Sequence, residues 1–253
     1  MCAFWRKRAN AAGAAAGELR TETPTVPAQG RKRSVAFRSA RAVLLLMAGY
    51  YLLCLVLLLL FRFVQPPVTG LQLQRRIEAM VARARYQPRQ TFRSLESMSR
   101  HAPRAVVMAE DGRFWVHHGF DLKELRLAGQ EALEGRRMRG ASTLTQQLMK
   151  NLFGCACRNP IRKLYDLALT PAAELVLGKR RILELYLNEV EWGRGIYGIE
   201  AAARHYYGQS ARRLTRTQAA GLAALLPNPR HRTIRNSSWY RAVILRRMQL
   251  QGW

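Results

Sequence analysis

Read as apolar and polar positions, the chain is one long apolar segment followed by a series of helix-period patterns. Residues 42–61 (AVLLLMAGYYLLCLVLLLLF) carry no charged or strongly polar side chain. Their length matches the hydrocarbon core of a bilayer. A buried helix of a soluble protein rarely runs so long without a polar face, so a membrane-spanning helix is expected. A signal peptide has a shorter apolar core and then a small-residue cleavage site. Here Arg62-Phe63-Val64-Gln65-Pro66-Pro67 follows, and the helix is expected to stay as an anchor. Pro66-Pro67 and Gly70 mark a linker. From Leu71 the period is helical almost throughout. Helices are expected over 71–81 and 103–110, and over 121–135 with Asp121 as N-cap and glycine at the end. The capping-box spacing of Thr143 and Gln146 opens another, through Met149. Further helices are expected over 161–176, 179–190, 198–207, 215–226 and 239–249. Strand signals are scarce, which makes the fold class mainly α.

Charge changes this picture by adding a surface. The formal net charge is +26, which points to nucleic acid or an anionic membrane. The apolar segment selects the membrane. Nine Lys or Arg lie in residues 1–41 against Glu18 and Glu22, and by the positive-inside tendency that tail stays in the cytoplasm. It reads as disordered: an alanine-rich tract, a proline-bearing stretch, then basic clusters. The domain over 62–253 is then expected outside the inner membrane, away from nucleic acid. The four cysteines form no disulfide framework. Cys155 and Cys157 stand in a C-x-C, where a bridge would close a small strained ring, and no second pair makes a zinc site.

The densest chemistry is Ala109-Glu110-Asp111-Gly112-Arg113-Phe114-Trp115-Val116-His117-His118-Gly119-Phe120-Asp121. It follows the apolar run over 105–109, so Glu110 sits at the mouth of a core. Burial raises a carboxyl pKa and suits it to accept a proton near neutral pH. A second group is Gly140-Ala-Ser142-Thr143-Leu-Thr145-Gln146-Gln147-Leu-Met-Lys150-Asn151, in which Thr143, Gln147 and Lys150 fall near one helix face. Amides beside a lysine suit hydroxyl-rich anionic ligands such as sugar phosphates. A third is Arg162-Lys163-Leu-Tyr-Asp166, two cations around a carboxylate, which reads either as a surface ion pair or as a cradle for a phosphate leaving group. The block from Lys179 through Tyr186 and Asn188 to Ala203 reads as scaffold, its glycines separating two helices.

In this order the motifs E-D-x-x-F-x-x-H-x-G-F-D, G-x-S-T-x-T-Q-Q-x-x-K-N, R-K and K-x-x-I-L-E-x-Y-L-N resemble the peptidoglycan glycosyltransferase family, from about Leu71 onward. The resemblance implies a lysozyme-like helical domain with a small membrane-associated jaw. It implies polymerisation of lipid II into β-1,4 glycan strands with release of undecaprenyl pyrophosphate. By motif position Glu110 is the general base and Asp166 the second catalytic carboxylate. Arg162, Lys163 and Lys150 hold the pyrophosphate. Ser142, Thr143, Gln146, Gln147 and Asn151 bind the donor, and Asp111, Phe114, His117 and Gly119 shape the substrate-binding loop of the first motif. A divalent ion, magnesium or manganese, is the one cofactor the family suggests. The implied partners are lipid II, the growing glycan chain, the membrane, and wall-synthesis or division proteins. No S-x-x-K nucleophile signature is present, so no transpeptidase activity is expected. One departure stands out: the family usually has R-K-x-x-E, and this chain has Asp166. Two other readings stay open, a lytic glycan-cleaving enzyme of the same fold class and an impaired synthase acting as a wall-assembly scaffold.

Overall fold

The structure, a computed structural model, describes residues 29–135, 140–154 and 160–253, with side chains from 37 in the first stretch and from 163 in the last. Expectations for residues 1–28, for the basic loop 136–139, for Cys155 and Cys157, and for the Arg162 side chain lie outside the described residues. The chain divides into two units, 1–45 and 46–253. In the first, the described residues are helical. They belong to α1 (Gln29–Phe61), within which Phe37–Phe61 is long and apolar enough to cross a membrane. The helix therefore starts well before residue 42. Residues 29–41, expected as part of an unstructured tail, are helical, because backbone hydrogen bonding continues through charged positions that hydropathy sets aside.

In the second unit the expected helices are present. They are α2 (Gly70–Val81), α3 (His101–Glu110), α4 (Leu122–Leu133), α5 (Leu144–Phe153), α6 (Pro160–Glu189), α7 (Ile199–Tyr207), α8 (Arg216–Ala223) and α9 (Ser238–Leu250). Local chemistry sets many of their ends. Asp121 accepts from the amides of Lys123 and Glu124 and starts α4, and Thr143 accepts from Gln146 N and starts α5. Full capping boxes at Thr69/Gln72 and Thr215/Gln218 start α2 and α8. The two helices expected over 161–176 and 179–190 are the two halves of α6, separated at Gly178 (φ 70, ψ 162). Three short strands add a small sheet in the order β1-β3-β2: β1 (Arg89–Gln90), β2 (Glu191–Gly193) and β3 (Ile196–Tyr197). β1 runs parallel to β3, and β2 antiparallel.

The core forms where α3, α5, α8, α9 and the second half of α6 meet. Val106, Val107, Leu144, Leu148, Ile182, Leu185, Leu222, Ile244 and Met248 are all buried there. Ala219, Ala220 and Gly221 leave α8 almost without side-chain bulk, so α3 can pack closely on it. Asn188 exchanges two hydrogen bonds of 2.8 Å with the backbone of Arg93, which ties the loop before α3 to the end of α6. Thus α3 is held on three sides, and Glu110 is its last residue.

Candidate active site

Glu110 and Asp111 adjoin in sequence but do different work. One Glu110 carboxylate oxygen, Oε2, accepts a 2.9 Å hydrogen bond from Gln147 Nε2. The other, Oε1, is shielded from solvent and has no partner among the described residues. Burial pushes the Glu110 carboxyl above its ordinary range. The Gln147 hydrogen bond and the charges of Lys150 and Arg232 only partly oppose it. Glu110 lines a cleft of about 570 Å³ whose walls include Gly112, Ser142, Thr143, Tyr240 and Arg247.

Gln147 is itself fixed. Its Oε1 accepts a 2.9 Å bond from the hydroxyl of Tyr186, a fully buried residue of α6. The ionised Glu110 carboxylate can only accept, so the amide NH₂ faces it, and the amide oxygen is left to accept from the Tyr186 hydroxyl, which holds that orientation. The peptide behind Glu110 is held from α9, where Tyr240 OH bonds Ala109 O at 2.6 Å and Arg247 Nη1 bonds Met108 O at 3.0 Å. By sequence Tyr186 reads as scaffold and α9 as a plain helix. Tyr186 stands in the K-x-x-I-L-E-x-Y-L-N motif, but neither its role nor that of α9 can be read from the sequence, because each partner lies far away along the chain. Tyr186→Phe frees the Gln147 amide to turn its oxygen toward Glu110, so the acid limb of the activity profile should move to higher pH. The loss in stability should be about 1 kcal/mol. A pH–rate series beside thermal melting checks both.

Asp111 is a brace. Its carboxylate accepts from Leu144 N at 2.9 Å, at the start of α5, and contacts His117 Nε2 at 2.8 and 3.0 Å. Gly119 N donates to His117 Nδ1 at 3.1 Å. That nitrogen must therefore accept, and Nε2 carries the proton toward Asp111. Gly119 O in turn accepts from Thr143 Oγ1 at 2.7 Å. Gly119 has φ +87, and a Cβ there would stand 2.5 Å from Thr170 Cγ2. Gly119→Ala should lower stability by about 2 kcal/mol, read as a fall in melting temperature. Phe114, expected to shape the substrate-binding loop, is wholly buried, so it acts on the loop from within and offers no surface of its own to a ligand. Lys179 Nζ lies 4.4 Å from its ring centroid and pairs with Glu174, which also accepts from Thr145.

Asp111, His117 and Asp121 gather potential metal ligands within 4.8 Å of one another. His117 is not free to serve as a ligand, because both of its ring nitrogens are committed. Asp121 Oδ1 accepts from Arg113 and two backbone amides, while its Oδ2 is buried with no partner among the described residues. A metal on Nε2 would have to displace the proton shared with Asp111, and moving that proton to Nδ1 breaks the Gly119 bond.

The remaining expected residues separate by exposure. Ser142 is exposed and Gln147 and Lys150 half-buried, whereas Gln146 and Asn151 are buried. Lys163 is half-buried and Asp166 buried, both on the first half of α6. The Asp166 main-chain carbonyl accepts from Thr170 Oγ1 at 2.6 Å.

Residues 77–249 match the family model described as Transglycosylase. The chain belongs to the transglycosylase family. It is an enzyme, and the lysozyme-like fold expected from its motifs is that family's. Among curated relatives, the biosynthetic peptidoglycan transglycosylase of Chromohalobacter salexigens is 43% identical over 205 residues, covering 80% of this chain and 87% of its own length. Proteins of the same name from Marinomonas sp. and Pseudomonas fluorescens are 44% and 41% identical, over 76% and 85% of this chain and 81% and 86% of their own lengths.

Proposed function

We propose that this transglycosylase polymerises lipid II into β-1,4 glycan strands of peptidoglycan, with Glu110 as general base and without transpeptidation. The observation that carries the reading is the division of labour on the Glu110 carboxylate. Oε2 is held through Gln147 by Tyr186, while Oε1 is unpartnered and shielded from water in a residue that lines a cleft. Oε1 takes the proton of the acceptor sugar's 4-hydroxyl. The oxygen forms its bond to C1 of the donor as the bond from C1 to the pyrophosphate breaks, which inverts the anomer. Undecaprenyl pyrophosphate leaves with the bonding electrons, and Lys150, Lys163 and Arg162 offset its charge. A carboxyl raised by burial is a strong enough base for this step near neutral pH. No step is assigned to a divalent ion, since His117 of the Asp111 cluster is committed to hydrogen bonds through both ring nitrogens.

α1 supports a membrane setting, and the charge asymmetry of the flanks supports a cytoplasmic tail with the domain facing outward from the inner membrane. Tyr51 OH bonds Ala168 O and Tyr165 OH bonds Met47 O, both at 3.1 Å, so the first half of α6 packs along the apolar helix. Leu164 and Leu175 remain 65% and 85% exposed there. That surface suits a jaw that meets lipid and receives a lipid-linked substrate.

The direct test gives the full chain two substrates, labelled lipid II and finished peptidoglycan. Polymer from the first and no cleavage of the second is expected. Cleavage without polymer would assign the site to a lytic enzyme. In the same assay Asp166→Glu should keep or raise the rate, and a large loss would show that the site is tuned to aspartate.

A further inference from the structure

The asymmetry of the Glu110 carboxylate recurs at Asp121, on the wall of the same cleft. Asp121 is only 5% exposed. Its Oδ1 accepts from Arg113 Nη1 at 2.9 Å and from the amides of Lys123 and Glu124 at 3.0 and 3.1 Å. Those bonds fix the carboxylate at the start of α4, and Arg113 offsets its charge. Oδ2 is shielded from bulk solvent and has no partner among the described residues. Capping a helix takes a single oxygen, so the cap accounts for Oδ1 and leaves Oδ2 without a task.

The polar groups nearest to it are spent elsewhere. Asp111, His117 and Asp121 bring polar atoms within 4.8 Å of one another, yet the His117 Nε2 proton goes to Asp111 and Nδ1 accepts from Gly119 N. Thr143, also on the cleft wall, donates its hydroxyl proton to Gly119 O. What Oδ2 lacks is a donor, not a countercharge, since Arg113 is already bound through Oδ1. An unpaired oxygen on a buried carboxylate is unfavourable, and a donor that arrives with a ligand removes the penalty. A neutral hydroxyl meets that need without adding charge. The sugar that offers its 4-hydroxyl to Glu110 carries two more hydroxyls beside it, one on C3 and one on C6.

We propose that Asp121 Oδ2 accepts a hydrogen bond from one of the two hydroxyls that flank the reacting 4-hydroxyl of the acceptor sugar. This deepens the reading of Glu110 as the base that faces the acceptor, and rests on it. Glu110 takes the proton, and Asp121 sets how the sugar ring lies when it does. The carboxylate is held before the sugar arrives, because Oδ1 carries all three of its protein bonds.

The test follows elongation of a preformed lipid-linked strand by the full chain. The acceptor is lipid II or its 3-deoxy or 6-deoxy analogue, altered in the sugar that carries the reacting hydroxyl. The wild type should lose about 10 to 100-fold in kcat/KM on one of the two analogues, mainly through KM, and that analogue names the hydroxyl. Asp121→Ser keeps an oxygen to cap α4 and lacks the second one. It should show a similar loss on lipid II and no further loss on that analogue, with a melting temperature near that of the wild type. Asp121→Asn can donate to the hydroxyl oxygen and should recover part of the loss. A serine variant with the wild-type KM would leave Oδ2 holding a buried water and overturn the contact. So would equal rates of the wild type on all three acceptors, which needs no variant to fold. A loss that EDTA reproduces in the wild type would assign Oδ2 to a metal ion and overturn it too. In each of these cases the lipid II reading stands. A wild type that adds no sugar to the strand overturns both.

Discussion

Glu110→Gln is expected to lower the rate of glycan polymerisation by about 10² to 10⁴-fold, the usual contribution of a positioned proton acceptor. The replacement keeps the shape of the side chain and an oxygen to accept from Gln147 Nε2, but it cannot take a proton from the acceptor sugar. The folded state should not suffer. Burial raises the Glu110 carboxyl above its unfolded value, so the ionised group opposes folding. That penalty is absent below the unfolded pKa, grows through the interval up to the folded pKa, and is complete above it. At neutral pH the glutamine variant should therefore melt at or above the wild-type temperature. A variant that melts normally and polymerises labelled lipid II at the wild-type rate would remove Glu110 from the mechanism.

Asp111→Ala should fail for a different reason. Its carboxylate is buried and receives the amide at the start of α5 and the His117 ring. Deleting it leaves two buried donors without acceptors, at roughly 1–3 kcal/mol each. A total near 4 kcal/mol is a large part of a typical folding free energy. For a chain of this size it corresponds to a fall of about 10 °C in melting temperature. Activity should fall with it, because the loop after Glu110 and the α5 residues Gln147 and Lys150 share that anchor. Asp111→Asn keeps one acceptor oxygen and should recover part of the stability. If alanine melts like the wild type, Asp111 is not the brace that its contacts describe.

The contrast between these neighbours marks what the sequence makes legible. Elements set by local chemistry can be read directly: Asp121 caps α4 and Thr143 caps α5, and the gap between the helices expected over 161–176 and 179–190 is where Gly178 divides α6. Glu110 could also be singled out, since five apolar residues before a carboxylate announce burial. The motif sets Asp111 apart from it as a residue that shapes the loop, but its partner could not be read, because Leu144 N lies 33 residues away. Tyr186 looked like scaffold for the same reason, as it acts through Gln147, 39 residues distant. Tyr240 and Arg247 reach the α3 carbonyls from more than 130 residues along the chain. Phe114 was assigned by its motif to the substrate loop, yet it packs inward under Lys179. Motif position marks a neighbourhood, and only packing says which way each side chain faces.

The central claim is that a carboxylate held by Gln147 and raised by burial accepts the proton. The most direct measurement is the rate of lipid II polymerisation against pH for the wild type and Glu110→Gln. The base must be ionised, so the wild-type rate should fall on the acid side through a single pKa above the ordinary glutamate value of 4.5. The residual rate of the variant should lack that limb. A wild-type limb at or below 4.5, or the same limb in both proteins, would contradict the account.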